Sequence, residues 1–169
     1  RDKEYTLPKT VTKVLLNVFT KNRYVEKILV PGNVVEIGEG AFSNCINLKS
    51  VIFENGVKTI AKNAFKGCSS LKEIFIPESM EKFLMTSFQK CEALKVIYVP
   101  EGSKVMVNAE KMAAKFGAKL VVYKPGESFE DVVKKQKATN LTPTIHVAIN
   151  TAENNVTSAQ IVKQSVEVK

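Results

Sequence analysis

Three cysteines and a single histidine are the residues of this 169-residue chain best suited to chemistry. Cys45, Cys68 and Cys91 follow one another at steps of 23 residues. Thiolates bind metals, exchange disulfides or attack carbon, but a metal site needs ligands that converge on one point. A constant step lines them up instead, about 4.8 Å apart if each sits on a successive strand. An odd count cannot pair completely within one chain, and such a column has poor geometry for a disulfide. The column therefore reads as a ladder of reduced structural thiols. His146 is the lone histidine, around which any nucleophilic triad or imidazole metal site has to be built. No nucleophile motif accompanies it, so it reads as an ordinary strand or surface residue. Gly38 and Gly40 form no phosphate loop and fall in the turn of the repeating unit. No catalytic residue, cofactor or metal is expected.

The step that relates the cysteines runs through the chain. It carries Phe19 to Phe42, Phe65 and Phe88; Val25 to Leu48, Leu71 and Leu94; and Val14 to Ile37, Ile60 and Phe83. Pro8, Pro31, Pro77 and Pro100 share another column, with Glu54 in the gap. Four full units result, at 5–27, 28–50, 51–73 and 74–96, and a fifth, altered one spans 97–123. Each unit holds a β-branched and aromatic run such as Lys49-Ser50-Val51-Ile52-Phe53, which reads as a strand. It also holds a segment with three- and four-residue apolar spacing, such as Ile37, Ala41, Phe42, Cys45 and Leu48, which reads as a helical turn. One such pair cannot bury its apolar face alone, whereas stacked copies can. The expected fold is an α/β solenoid, with a parallel sheet on the concave side and short helices on the convex side.

In the fifth unit the repeat columns become Lys111, Ala114 and Gly117. Asn108 is the expected N-cap of a helix there, Met112 and Phe116 lie on one helix face, and Gly117 stops it. This unit reads as a C-terminal cap. From Lys124 the repeat is gone, so residues 5–123 are expected to form the solenoid and 124–169 an appended segment or linker. Within that segment, 128–137 reads as a short helix, 144–149 as a strand and 150–158 as loop. Asn140 and Asn155 each begin an N-glycosylation tripeptide, a pattern common by chance.

The segments VPGNVVEIGEGAFSNCINLKSV and ENGVKTIAKNAFKGCSSLKEI resemble the units of the BspA-like leucine-rich repeat family. The resemblance covers about residues 5–100, and the first unit departs from it with Val18 in the alanine column and Asn22 in the cysteine column. Asn and Cys alternate at that position in many leucine-rich repeats. The resemblance implies a microbial surface or secreted protein of adhesion or recognition, without naming its ligand.

Alternation along the strands supplies the candidate interface. If Val51 and Phe53 point into the core, Ile52 points out, and its column is Leu29, Ile52, Phe75, Tyr98 and Val121. A solvent-facing apolar stripe of this kind suits protein binding, with Phe75 and Tyr98 as anchors. Burial by the 124–169 segment, or by a second copy, is the competing reading. Lys49, Lys72 and Lys95 form a basic row beside the core leucines, suited to an acidic protein, a sulfated glycan or a nucleic-acid backbone. The net charge is +8, but lysine is spread along the chain, so it reads mainly as solvation and against nucleic acid. No run of about 18 apolar residues spans a membrane. The sequence begins at Arg1 without a charged-then-apolar leader, which leaves its compartment open. Together these point to non-enzymatic recognition of a protein partner, a host or matrix protein, with no small-molecule substrate and with self-association open. The alternatives are an interaction module of a larger multidomain protein and a basic-row glycan or nucleic-acid binder.

Overall fold

The strand-forming run of each unit pairs with its copy in the next. In the computed structural model, which describes residues 3–140, β1 (Glu4–Thr6), β3 (Lys27–Val30), β5 (Ser50–Phe53), β7 (Glu73–Phe75), β9 (Val96–Pro100) and β10 (Lys119–Tyr123) form one six-stranded sheet in that order. All its pairs are parallel, and partners such as Lys27, Ser50, Glu73, Val96 and Lys119 keep the repeat's register. Across the core, β2 (Lys13–Val14), β4 (Glu36–Ile37), β6 (Thr59–Ile60) and β8 (Lys82–Phe83) form a second parallel sheet of two-residue strands. Between the sheets, the rings of Phe19, Phe42, Phe65 and Phe88 stack with centroids 5.0, 5.0 and 5.2 Å apart. Around them pack Leu48, Leu71, Leu94 and the inward strand residues Val51, Phe53, Ile74 and Ile97.

The convex side departs from the expected helices. The segment Gly40–Cys45 is an arc of turns, and its hydrogen bonds explain why. The amides of Gly40, Phe42 and Asn44 donate to the carbonyls of Lys62, Ala64 and Lys66 in the following unit. The amides between them, of Ala41, Ser43 and Cys45, donate three residues back within the arc. An α-helix needs every interior amide for its own ladder, so a chain that sends alternate amides to its neighbour cannot wind into one. The alternation also demands left-handed backbone at two places in each of the first three arcs and at one in the fourth. Gly40 (φ 63°) shares one column with Asn17 and Asn63, and Gly67 (φ 76°) shares the other with Lys21, Asn44 and Lys90, all at positive φ. Glycine and asparagine adopt this region at low cost. Gly38 answers a different need: a Cβ there would stand 2.6 Å from the Val14 carbonyl oxygen.

Among the described residues, helix appears only where no further arc follows. Met85–Phe88 tightens into a 3-10 turn, and α1 (Met106–Phe116) closes the C-terminal end against β9 and β10. α1 stops at Gly117 (φ 64°), as expected, and Met112 is fully buried on its inner face. Its start is corrected: Val105 precedes the first turn, and Asn108 lies inside the helix, its side-chain amide drawn to the Phe83 carbonyl at 2.7 Å.

The chain divides into two units, Arg1–Glu127 and Ser128–Lys169, the second described as far as Asn140. In the first, the Gly126 amide donates to the Glu78 carboxylate at 2.7 Å. In the second, α2 (Phe129–Asn140) begins where the Asp131 amide donates to the Ser128 hydroxyl. Asn140 is the last residue of α2. The expected strand at 144–149, the loop at 150–158, His146 and Asn155 lie outside the described residues.

Phe65 sits between two stacked rings and touches the Phe53 edge. Phe65→Ala is expected to cost about 3–5 kcal/mol, measured by urea denaturation, because the rigid rings on either side cannot close over the cavity.

Candidate interface on the outer sheet face

The strand alternation falls as expected. Val51, Phe53, Ile74 and Ile97 join the core, while Ile52, Phe75, Tyr98 and Val121 stand outside it on the other face of the larger sheet. Register places Leu29, Ile52, Phe75, Tyr98 and Val121 side by side on consecutive strands. They are not the open stripe that alternation alone implies. Ile52, Phe75, Tyr98 and Val121 are only 5–7% exposed, and Leu29 is half-buried. Part of the reason is lateral packing. Phe75 lies 6.0 Å from the Tyr98 ring, and the Tyr123 ring stacks on it at 4.6 Å and 18°. Beside them Ser50 is 6% exposed, and its hydroxyl has no hydrogen-bond partner among the described residues. Burial and the nearby Glu73 carboxylate hold the Tyr98 hydroxyl above its usual range.

Tyr123 has a second task. In the second unit pair, the Glu54 amide donates to the Val30 carbonyl. Two periods on, Pro100 and Ile76 hold these places, and proline has no amide proton to give. The Tyr123 hydroxyl supplies the missing donor, reaching the Ile76 carbonyl at 2.6 Å. Burial, then the Glu78 charge, hold this hydroxyl in its protonated, donating form. Ser87 performs a similar repair on the other sheet. It accepts from the Leu84 amide at 3.0 Å and donates to the Ile60 carbonyl at 3.3 Å, bridging a gap that direct bonds close in earlier units. The roles of Tyr123 and Ser87 were not read from the sequence. The signal for Tyr123 was the proline column, since each proline deletes one ladder donor.

The lysine row divides in two. Glu26 lies between Lys3 and Lys49, at 2.8 and 2.5 Å. Hydrogen bonds from these ammonium groups lower its carboxyl to about 2. Lys72 and Lys95 are exposed and form no ion pair among the described residues.

The cysteine column is a thiol ladder. Cys45, Cys68 and Cys91 are free and buried, and each donates to the phenylalanine carbonyl of the preceding unit (Phe19, Phe42 and Phe65) at 3.2, 3.2 and 3.1 Å. The neighbouring thiols and burial push the Cys68 thiol far above its usual range, which keeps it unreactive. Asn22, in the same column, instead accepts from the Tyr24 and Val25 amides of its own unit. Among the described residues no His, Cys, Asp and Glu cluster could hold a metal, and no helix is long and apolar enough to cross a membrane.

A profile of the BspA-type leucine-rich repeat region matches residues 3–109 in six copies. Among solved structures, a leucine-rich cell surface protein from Faecalibacterium prausnitzii is 27% identical, with a TM-score of 0.60 over 77% of this chain and 34% of that one. The pneumococcal vaccine antigen PcpA is 23% identical, with a TM-score of 0.56 over 77% of this chain and 32% of its own. A leucine-rich repeat protein from Eubacterium ventriosum is 22% identical, with a TM-score of 0.50 over 59% of this chain and 35% of its own. The latter two likenesses show the fold alone. This chain spans about a third of the length of these proteins. No curated protein matches it.

Two outcomes follow. Tyr123→Phe leaves the buried Ile76 carbonyl without its donor and is expected to cost about 1–3 kcal/mol of stability by chemical denaturation. Glu26 has a folded pKa below its unfolded value, so its contribution is full above about pH 4.5 and is lost as the pH falls toward about 2. Melting curves across that window should show Glu26→Gln lacking this part of the acid destabilisation, with added salt shrinking the difference.

Proposed function

Because the chain belongs to the BspA-type leucine-rich repeat family, whose members are typically protein-interaction or surface proteins, we propose that it is a non-catalytic recognition module. Its partner is a protein, of the host or matrix, and its setting is the cell surface or outside the cell. The recognition unit is residues 5–123, and 124–169 is an appended segment. The observation that carries this reading is the unbroken apolar column Leu29, Ile52, Phe75, Tyr98 and Val121, held in register on strands yet outside the core. An apolar centre on five rungs, with half-buried Leu29 and an exposed lysine margin beside it, is suited to partner contact. Its burial assigns different parts to its members. Leu29 and the margin of Lys49, Lys72 and Lys95 are what an incoming partner meets first, and the four buried members form an apolar floor. The family resemblance and the likeness to a bacterial cell surface protein support the setting.

A second reading rests on Lys72 and Lys95. Adjacent lysines without ion pairs among the described residues suit an anionic ligand such as a sulfated glycan.

The test is a binding assay against immobilised matrix proteins and sulfated glycans at two salt concentrations, with Leu29→Glu and a Lys49→Glu, Lys72→Glu, Lys95→Glu triple variant beside the parent. Apolar recognition predicts a loss of at least about tenfold for Leu29→Glu, comparable to removing one buried contact, with little effect of salt. The basic-row reading predicts a loss confined to the triple variant and binding that falls steeply as salt rises. A partner held equally by parent and both variants would remove this face from recognition.

A further inference from the structure

Strand β5 runs into a turn at 54–57, closed by the Val57 amide on the Glu54 carbonyl. Its centre is Asn55-Gly56, the only Asn-Gly step in the chain. Such a step can react with itself. The glycine nitrogen, its proton lost to hydroxide, attacks the side-chain carbonyl carbon of the asparagine. The new C–N bond closes a succinimide ring, and the side-chain nitrogen leaves as ammonia. Water then reopens the ring at either carbonyl, giving Asp or isoaspartate. Glycine favours this because no Cβ shields its nitrogen or limits its rotation. The packing of the coils keeps glycine here. A Cβ on Gly56 would overlap the Gly32 carbonyl, and one on Gly32 would overlap the Asn55 carbonyl. Gly56 also has φ 123°. Asn55 is exposed, so water and hydroxide reach it.

One residue of the next unit holds both reacting groups. The Ser79 amide donates to Asn55 Oδ1 at 3.0 Å. The Ser79 hydroxyl accepts from the Gly56 amide at 2.7 Å and donates to the Val57 carbonyl at 2.7 Å. We infer that Asn55-Gly56 is a site of spontaneous deamidation and that Ser79 holds it in check. The Gly56 proton has to leave before the nitrogen can attack, and the Ser79 hydroxyl engages that proton. The nitrogen then has to turn onto the Asn55 side chain, which the Ser79 amide tethers to another coil. That amide also polarises the Asn55 carbonyl, which by itself would favour attack, so the hydroxyl on the nucleophile is the restraint that decides. The two products differ in consequence. Asp keeps the backbone and an acceptor for the Ser79 amide. Isoaspartate carries the main chain through the side-chain carboxyl and adds a methylene to a turn packed closely against Gly32.

The experiment follows conversion of residue 55 to Asp and isoaspartate by peptide mass spectrometry, in the full chain folded in neutral buffer and unfolded in urea. The folded chain is expected to convert at least about tenfold more slowly, with hydrogen exchange at the Gly56 amide slowed to a similar degree. Ser79→Ala removes the hydroxyl and should speed conversion in the folded chain about fivefold or more. Ser79→Thr keeps a hydroxyl and should stay close to the parent. Circular dichroism, with exchange at the Phe65 amide that donates to the Ser87 carbonyl, checks that Ser79→Ala remains folded. Equal conversion in the folded and the urea-unfolded parent overturns the inference. So does a folded Ser79→Ala that converts no faster than the parent. If Ser79→Ala does not fold, the parent decides alone: slow conversion beside a freely exchanging Gly56 amide puts the protection elsewhere and overturns the inference, whereas joint slowing supports it.

Discussion

Everything in this solenoid depends on the division of the backbone amides between a unit and its neighbour. A buried N–H or C=O must have a partner, and a 23-residue coil has too few internal ones. Alternate amides of each arc therefore cross to the next coil, while those between close turns inside it. The choice has consequences at once for conformation and for composition. It forbids a helix on the convex side and calls for left-handed residues at two fixed places. It also holds successive coils close enough for small residues to be required, as at Ala41 and Ala64. The stacked phenylalanines and the thiol ladder are the side-chain counterpart of the same arrangement. They repeat because the backbone repeats, and each thiol completes a carbonyl that belongs to the coil before it.

The repeat register was legible in the sequence because one spacing governs every column. Cys45, Cys68 and Cys91 stand in line, and the inward and outward strand residues fall as alternation requires. The convex side was misread for a physical reason. Ile37, Ala41, Phe42, Cys45 and Leu48 have helical spacing because the arc turns tightly about the core, and apolar spacing reports curvature rather than where an amide donates. Asn108 was misplaced because its side chain suits either a helix start or an orphan carbonyl, and only the position of Phe83 decides between them. The outward column was legible as apolar, while the sequence left open whether it was exposed or buried. Exposure on a sheet face depends on what lies across it, and the reach of Tyr123 from β10 to Ile76, just past β7, skips a whole strand.

The cysteine column shows why residue type alone misleads about chemistry. Three thiols in line look like a reactive device, yet all three are buried and donate to carbonyls, and the neighbouring thiols and burial hold the central one, Cys68, in its protonated form. At Asn22 the same column dispenses with sulfur altogether, because a side-chain carbonyl that serves its own turn needs nothing from a preceding coil. What the column preserves is a hydrogen bond at a bend, and either chemistry meets that need.

The stacking of coils also bears on how the molecule responds to force. Contacts in a solenoid run between nearest neighbours, so tension applied along the chain is resisted one coil at a time. The last coil is held by α1 and by the Tyr123 hydroxyl on the Ile76 carbonyl, just past β7. Each released coil of 23 residues pays out up to about 80 Å of chain, so the fold can lengthen in steps while the rest of its core stays closed.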